Sequence, residues 1–216
     1  MFPPPWPLVT VDIDGTLTRG HGWAAIADRR GRRPEFDRTS ARYRAGEIGE
    51  DEHLHNLLAL AVGARWSDLE ATLAATPKIA GISDGIALLH RGGTRVALLS
   101  HNPAYICAWY RRTFGFDDYE GTTGQDVVDG IVGPPSRIRA AKREGLRALA
   151  ERAHTGTSGV VHVGDGAADA AIFPLVGRGV ALNPSRPDVA AAADLVLRTD
   201  DFREVAAAIE RLTPRR

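Results

Sequence analysis

Two aspartates, Asp12 and Asp14, stand one residue apart in the stretch Leu8 to Leu17, which reads LVTVDIDGTL. Leu8, Val9 and Val11, interrupted only by Thr10, make an apolar run that predicts a buried strand. Alternate residues of a strand project to the same side, so both carboxylates would point together if extended geometry held that far. Like charges so placed repel each other. A hard divalent cation compensates them most simply, and an oxygen-rich site of this kind suits Mg²⁺. Taken alone, the decapeptide also reads as a polar turn, because Asp-Gly is a strong turn signal.

Three more places carry residues of the same chemistry. Ser100 closes the apolar run from Thr94, with His101 and Asn102 just beyond. Asp165 follows the run Val160 to Val163, flanked by Gly164 and Gly166, and Asp169 lies four residues on. That spacing puts both aspartates on one helical face, where their repulsion is partly offset by the positive helix N-terminus. Lys142 is one of two lysines among 27 basic residues. Singly, Ser100 reads as a helix cap and Lys142 as a solvated helix residue. The order Asp-x-Asp-Gly-Thr, Ser, Lys, Gly-Asp-Gly-x-x-Asp is far less easily dismissed than any one of its parts.

The elements that must position these groups alternate from Ser83 onward. Helices are predicted over SDGIALLHRGG, capped by Ser83 or Asp84, from Asn102-Pro103 to about Phe114, from Ser136 to about Ala153, from Ala167 to Val176, over Asp188 to Ala193 and over Phe202 to Leu212. Strands are predicted at Thr94 to Ser100, Phe116 to Thr122, Val160 to Val163, Gly179 to Asn183 and Leu195 to Leu197, with a hairpin at Val127 to Gly133 signalled by Asp129-Gly130. This alternation predicts an α/β fold: a Rossmann-like, doubly wound, mostly parallel sheet with helices on both faces. In such sheets ligands bind at the carboxyl ends of the strands, where the candidate residues fall.

Residues 18–80 differ in character. They are rich in Ala, Arg, Glu and Leu and show no convincing strand. His53 to Val62 has helical period, Ser67 to Thr76 opens with a cap residue, and Ala24 to Ala27 and Ser40 to Ala45 are weaker helical stretches. The expected organisation is a core of residues 1–17 and 81–216 with a small helical cap, 18–80, inserted after the first strand. Pro3, Pro4, Pro5 and Pro7 predict a stiff lead-in.

Composition narrows the function classes. The chain has 216 residues, 44% hydrophobic, enough for a sizeable core. Acidic and basic residues balance at 27 each, which leaves no electrostatic footprint for nucleic acid or an anionic membrane. The single cysteine, Cys107, excludes an internal disulfide and fits a reducing compartment. MFPPPWPL lacks the basic start and apolar segment of a signal peptide, and no apolar run approaches the ~20 residues of a membrane helix. A cytoplasmic protein is expected. Its oligomeric state is not legible.

Four motifs, VDIDGT, LLSHN, Lys142 in AAKREGLRALA and VGDGAADAAIF, together resemble the haloacid dehalogenase superfamily of phosphohydrolases, in its phosphoserine-phosphatase-like branch. The resemblance covers nearly the whole chain and includes room for the cap. It implies a Mg²⁺-dependent phosphatase acting on a small-molecule phosphate monoester through an aspartyl-phosphate. Asp12 would be the nucleophile and Asp14 the general acid and base. Mg²⁺ would be held by Asp12, the backbone carbonyl of Asp14 and Asp165, with Asp169 in support. Ser100, Lys142 and backbone N–H groups near Gly15 and His101 would hold the phosphoryl group, and Thr16 would orient the nucleophile.

The chain departs from that branch where the branch recognises serine. His21 falls where a glutamate would hold the substrate amine, Leu54, between His53 and His55, where an arginine would hold its carboxylate, and Ala168 where the fourth motif has Asn. These departures point away from phosphoserine and towards another small phosphate, such as a sugar, polyol or metabolic intermediate, faced by His21, Trp23, Arg42, Tyr43 and His53. A phosphotransferase would use the same residues. A dehalogenase would need neither Asp14 nor metal, and a phospho-accepting signalling domain would lack the insert. An inactive regulatory relative should have lost a catalytic aspartate, and none is missing.

Overall fold

The computed structural model describes residues 6–139 and 142–214. Strand β1 (Leu8–Val11) leads into four helices, α1 (Gly22–Arg29), α2 (Arg33–Arg44), α3 (Glu50–Ala61) and α4 (Trp66–Ala75). Then come α5 (Ile82–Arg91), β2 (Arg95–Pro103), α6 (Ala104–Phe114), β3 (Asp118–Thr122) and a hairpin of β4 (Val127–Val128) and β5 (Ile131–Val132). The chain continues through α7 (Lys142–Arg152), β6 (Val160–Gly164), α8 (Ala167–Ala170), β7 (Arg178–Leu182), α9 (Pro187–Ala192), β8 (Leu195–Leu197) and α10 (Phe202–Arg211).

Six strands form one sheet in the order β3-β2-β1-β6-β7-β8, every neighbouring pair parallel. Strand order reverses between β1 and β6, which opens a crevice beyond their carboxyl ends. Alternation within the strands supplies both faces. Val9, Val11, Val161 and Val163 pack with Ile86 and Leu89 of α5 and Val205 of α10. Leu8, Leu99 and Val160 pack on the other side with Leu146 and Leu149 of α7. Strands buried on both faces read as near-continuous apolar runs, which is why the sheet is legible in the sequence.

Helices α1 to α4 bury Ile26, Leu57, Leu58, Leu69 and Leu73 in an apolar cluster continuous with one face of the sheet. The β4–β5 hairpin is bonded to the chain between α3 and α4. Trp66 N donates to Gly130 O at 2.8 Å, Gly63 N to Val132 O at 2.8 Å and Val132 N to Ala64 O at 2.9 Å. Its turn places Asp129 and Gly130 both at positive φ, as the Asp-Gly signal predicts.

Several boundaries differ from expectation. Strand β1 ends at Val11, so Asp12 and Asp14 sit in the turn beyond it. The helix expected from Ser136 begins at Lys142: residues 136–139 instead bond back to Gly124 and Thr123, and Ala140 and Ala141 lie outside the described residues. Gly81, not Ser83 or Asp84, precedes α5, and Arg65, not Ser67, precedes α4. Asn102 does not cap α6, because β2 runs on to Pro103. After α8 the chain tightens into a 3₁₀ turn, Phe173–Leu175, where Pro174 cannot donate a helical hydrogen bond. Pro3, Pro4 and Pro5 lie outside the described residues. Among the described residues no helix is long and apolar enough to cross a membrane.

Candidate active site

Beyond the ends of β1, β2 and β6 lies a cavity of about 220 Å³. Its floor carries Asp12, Asp14, Ser100, Lys142, Asp165 and Asp169; its roof carries His21, Trp23, Tyr43, Glu50, His53, Leu54 and Leu57. Carboxylate oxygens of Asp12, Asp165 and Asp169 all lie within 4.8 Å of one another. Glycine permits this crowding: Gly15 has φ +82°, and a Cβ there would collide with the Asp165 carboxylate, as one at Gly164 would with that of Asp169.

Lys142, buried at the start of α7, donates to Asp12 Oδ1 at 2.8 Å and to Asp169 Oδ1 at 2.6 Å. Burial pushes the Asp12 carboxyl up to about 6, with Lys142 opposing and the charges of Asp169 and Asp14 adding to the rise. Burial and the charges of Asp12 and Asp169 push Asp165 up to about 7. For Asp169, burial works upward too, but Lys142 and a bonded His162 outweigh it and hold the carboxyl far below its ordinary value. Asp12 and Asp169 thus share the Lys142 ammonium with Asp165 crowded beside them, and burial pushes the carboxyls of Asp12 and Asp165 up. That deficit, with all-oxygen donors at this spacing, fits a hard divalent cation such as Mg²⁺.

Asp14 is held apart from this cluster. Its Oδ1 accepts from Gly22 N at 2.8 Å and its Oδ2 from Asn102 Nδ2 at 3.0 Å. The Asn102 amide also reaches Ser100 Oγ at 3.2 Å, as does the Asn102 backbone N–H. Ser100 Oγ accepts in both bonds, so its own proton is free for an incoming oxygen. His101 Nδ1 lies 3.2 Å from Glu50 Oε1, and burial and the charge of Lys142 push the imidazole down to about 3.

Two expected positions fall elsewhere. Among the described residues Thr16 makes no side-chain hydrogen bond to Asp12; its Oγ1 donates to Asp165 Oδ1 at 2.9 Å, the Gly15 turn lying between Asp12 and Thr16. Arg42 does not line the cavity; it pairs with Glu47 and Glu52 on the exposed side of α2 and α3. His21, Trp23, Tyr43 and His53 do line it, although Trp23 is only 3% exposed and belongs equally to the helical core. Tyr43 and His53 stack with ring centroids 4.4 Å apart. Neither Glu50 nor His162 is among the residues expected from the sequence, and Asn102 is expected there as a helix cap rather than as a partner of Asp14. The signal for His162 was present: a histidine inside an otherwise apolar strand, VVHVG.

Residues 6–177 match the haloacid dehalogenase-like hydrolase family. The phosphoserine phosphatase of Halobacterium salinarum is 28% identical over 200 residues, covering 90% of this chain and 93% of the relative. That of Wolinella succinogenes is 27% identical over 203 residues, covering 93% and 98%. Among solved structures, a haloacid dehalogenase family hydrolase from Salmonella enterica serovar Typhi superposes with a TM-score of 0.86 at 18% identity, covering 97% of this chain and 73% of that one. A substrate-bound phosphoserine phosphatase superposes with a TM-score of 0.79 at 21% identity, covering 96% and 99%. The chain belongs to the haloacid dehalogenase-like hydrolases, and it is similar to phosphoserine phosphatases among them. It is a hydrolase built on the α/β core of that family.

Proposed function

We propose that this protein is a Mg²⁺-dependent phosphatase that hydrolyses a small-molecule phosphate monoester through an aspartyl-phosphate on Asp12. The observation that carries the reading is the convergence of Asp12, Asp165 and Asp169 around Lys142, with Asp14 held separately at the same cavity. The expected setting is a reducing, cytoplasmic one, consistent with a single buried thiol, Cys107.

In the first half-reaction an Asp12 carboxylate oxygen bonds to phosphorus, the ester P–O bond breaks, and Asp14 gives its proton to the departing alkoxide. In the second, a water attacks phosphorus while Asp14 takes its proton, and the Asp12–phosphorus bond breaks to release phosphate. Ser100 Oγ–H and the backbone N–H groups near Gly15 and His101 hold phosphoryl oxygens, and Lys142 adds its charge. Asp12, Asp165 and the backbone carbonyl of Asp14 would hold Mg²⁺, which when bound supplies charge neutralisation between carboxylate and phosphate. Thr16 fixes Asp165 rather than the nucleophile.

The test is a screen of small phosphate esters with released phosphate measured, with and without chelator. Hydrolysis that disappears on thorough chelation and returns with Mg²⁺ is expected. Turnover that survives chelation would remove the metal from the reading.

The substrate is proposed to be other than phosphoserine. Leu54 lines the cavity, and among its described lining residues Lys142 is the sole Lys or Arg. Lys142 is already paired with Asp12 and Asp169, so no further Lys or Arg among the described lining residues is left for a substrate carboxylate. Phosphoserine should be a poor substrate beside phosphates of uncharged alcohols. His21→Ala and Tyr43→Ala should change kcat/KM for the best natural ester more than for a small activated aryl phosphate, which needs little leaving-group recognition. Equal loss on both esters would show that these side chains only support the fold.

A further inference from the structure

The Asp169 carboxylate is near enough to Asp12 and Asp165 to join a cation, yet its oxygens are already taken. Lys142 Nζ and His162 Nε2 reach Oδ1 at 2.6 and 2.9 Å, while the backbone N–H groups of Asp165 and Gly166 reach Oδ2 at 3.1 and 3.0 Å. Two donors on each oxygen fill the roughly four acceptor positions a carboxylate has. Three of these donors come from the site itself or its loop. His162 does not: it lies in the middle of β6, fully buried, below the floor of the cavity.

His162 is itself held from two sides. A carboxylate only accepts, so Nε2 carries the proton given to Asp169. The other nitrogen, Nδ1, lies 2.9 Å from the hydroxyl of Thr10, its register partner on β1. Thr10 is fully buried as well. A polar pair in the interior of two apolar strands is costly unless every group is bonded, and here Thr10 bonds His162 at 2.9 Å and His162 bonds Asp169, with Val161 O a longer alternative acceptor for the Thr10 hydroxyl at 3.5 Å.

We infer that His162 is a positioning residue, braced by Thr10, that keeps the Asp169 carboxylate on Lys142 and off the metal. The metal is then held by the carboxylates of Asp12 and Asp165 only. Such a site suits Mg²⁺, which keeps several of its waters, and disfavours Ca²⁺, which gathers more oxygen ligands. Without the His162 bond, Asp169 loses its anchor and gains a free acceptor position in a cluster already short of positive charge. The carboxylate turns to the cation, and the added oxygen favours Ca²⁺ over Mg²⁺. His162 thus sets metal selectivity without touching metal or substrate. The inference rests on the metal reading above.

The experiment is calorimetric titration of metal-free protein with Mg²⁺ and with Ca²⁺, together with melting curves, for wild type, His162→Phe, His162→Gln and Thr10→Val. His162→Phe keeps a ring and loses the donor. It should raise the ratio of Ca²⁺ to Mg²⁺ affinity by about tenfold, the lower end of effects seen when partners of metal ligands are removed. His162→Gln retains an N–H donor at similar reach and should restore a ratio near wild type. Thr10→Val frees the ring to rotate and should shift the ratio the same way by a smaller factor. If His162→Phe does not fold, the other two variants decide. An unchanged ratio in the folded variants, equal weakening of both metals, or Gln behaving as Phe does would each overturn the inference. A wild-type protein that binds neither metal would sink the metal reading instead, and the two failures are distinguishable.

Discussion

Asp12→Asn abolishes turnover while the protein keeps its fold. Asn is nearly the same size, but its amide cannot act as the carboxylate nucleophile. Loss of a covalent nucleophile should lower kcat by at least about 10⁴-fold on every ester, activated or not. Stability should move little for a specific reason. Lys142 loses one of its two carboxylate partners but keeps Asp169 at 2.6 Å. The cluster also loses one of three crowded negative charges. These effects oppose each other, so the melting temperature should stay within about 4 °C of wild type, equivalent to about 1 kcal/mol in a domain of this size. Near-normal turnover in Asp12→Asn would make the nucleophile assignment wrong. A collapsed melting temperature would instead mean that Asp12 is a structural partner of Lys142.

Asp14→Asn should slow hydrolysis of alkyl phosphates by ~10²–10⁴-fold, the usual worth of a positioned general acid or base. The loss should be smaller for an aryl ester whose leaving group needs no proton, and there the second half-reaction should become limiting. This dependence on leaving group separates proton transfer from phosphate binding, because weaker binding would affect both esters alike. The fold should tolerate the change, since Asn retains a carbonyl oxygen for either Asn102 Nδ2 or the pair of donors, Gly22 N and Thr18 Oγ1, that share Oδ1. Equal loss of kcat/KM, which reports the first half-reaction, on both esters would contradict the general-acid role.

Three of the residues that could be read from the sequence, Asp12, Ser100 and Asp165, follow directly on an apolar run that announces a strand, whereas Lys142 and Asp169 lie in helices. Asp12 follows Val11, Ser100 follows Leu99, and Asp165 follows Gly164, so motif and topology point to the same edge of the sheet. The sheet itself was legible because its strands are buried on both faces. What was not legible depends on direction in space. Glu50 opens α3, and its reach to His101 follows from how α3 lies over the sheet, which helical periodicity does not encode. Thr16 was expected on Asp12 because they are neighbours in sequence, but the Gly15 turn sends its hydroxyl to Asp165. Arg42 was expected in the cavity from its place in the helical stretch, and the rotation of α2 turns it outward to Glu47 and Glu52. Asn102 carried a good capping signal, and the longer β2 diverts its amide to Asp14 and Ser100. The Ser136 helix signal failed for a similar reason: backbone bonds of Ser136 to Gly124 and of Arg139 to Thr123 compete with it.

The central claim is that the phosphoryl group passes through Asp12. The most direct measurement is rapid quenching of the enzyme during turnover of its best ester, with immediate borohydride reduction, proteolysis and peptide mass spectrometry. An acyl phosphate is reduced to the alcohol, whereas a free carboxylate is not. The account predicts homoserine in place of aspartate at position 12, dependent on both substrate and Mg²⁺, and at none of positions 14, 165 and 169. Reduction at another aspartate, or none at position 12 under conditions where alcohol release shows a burst, would contradict it.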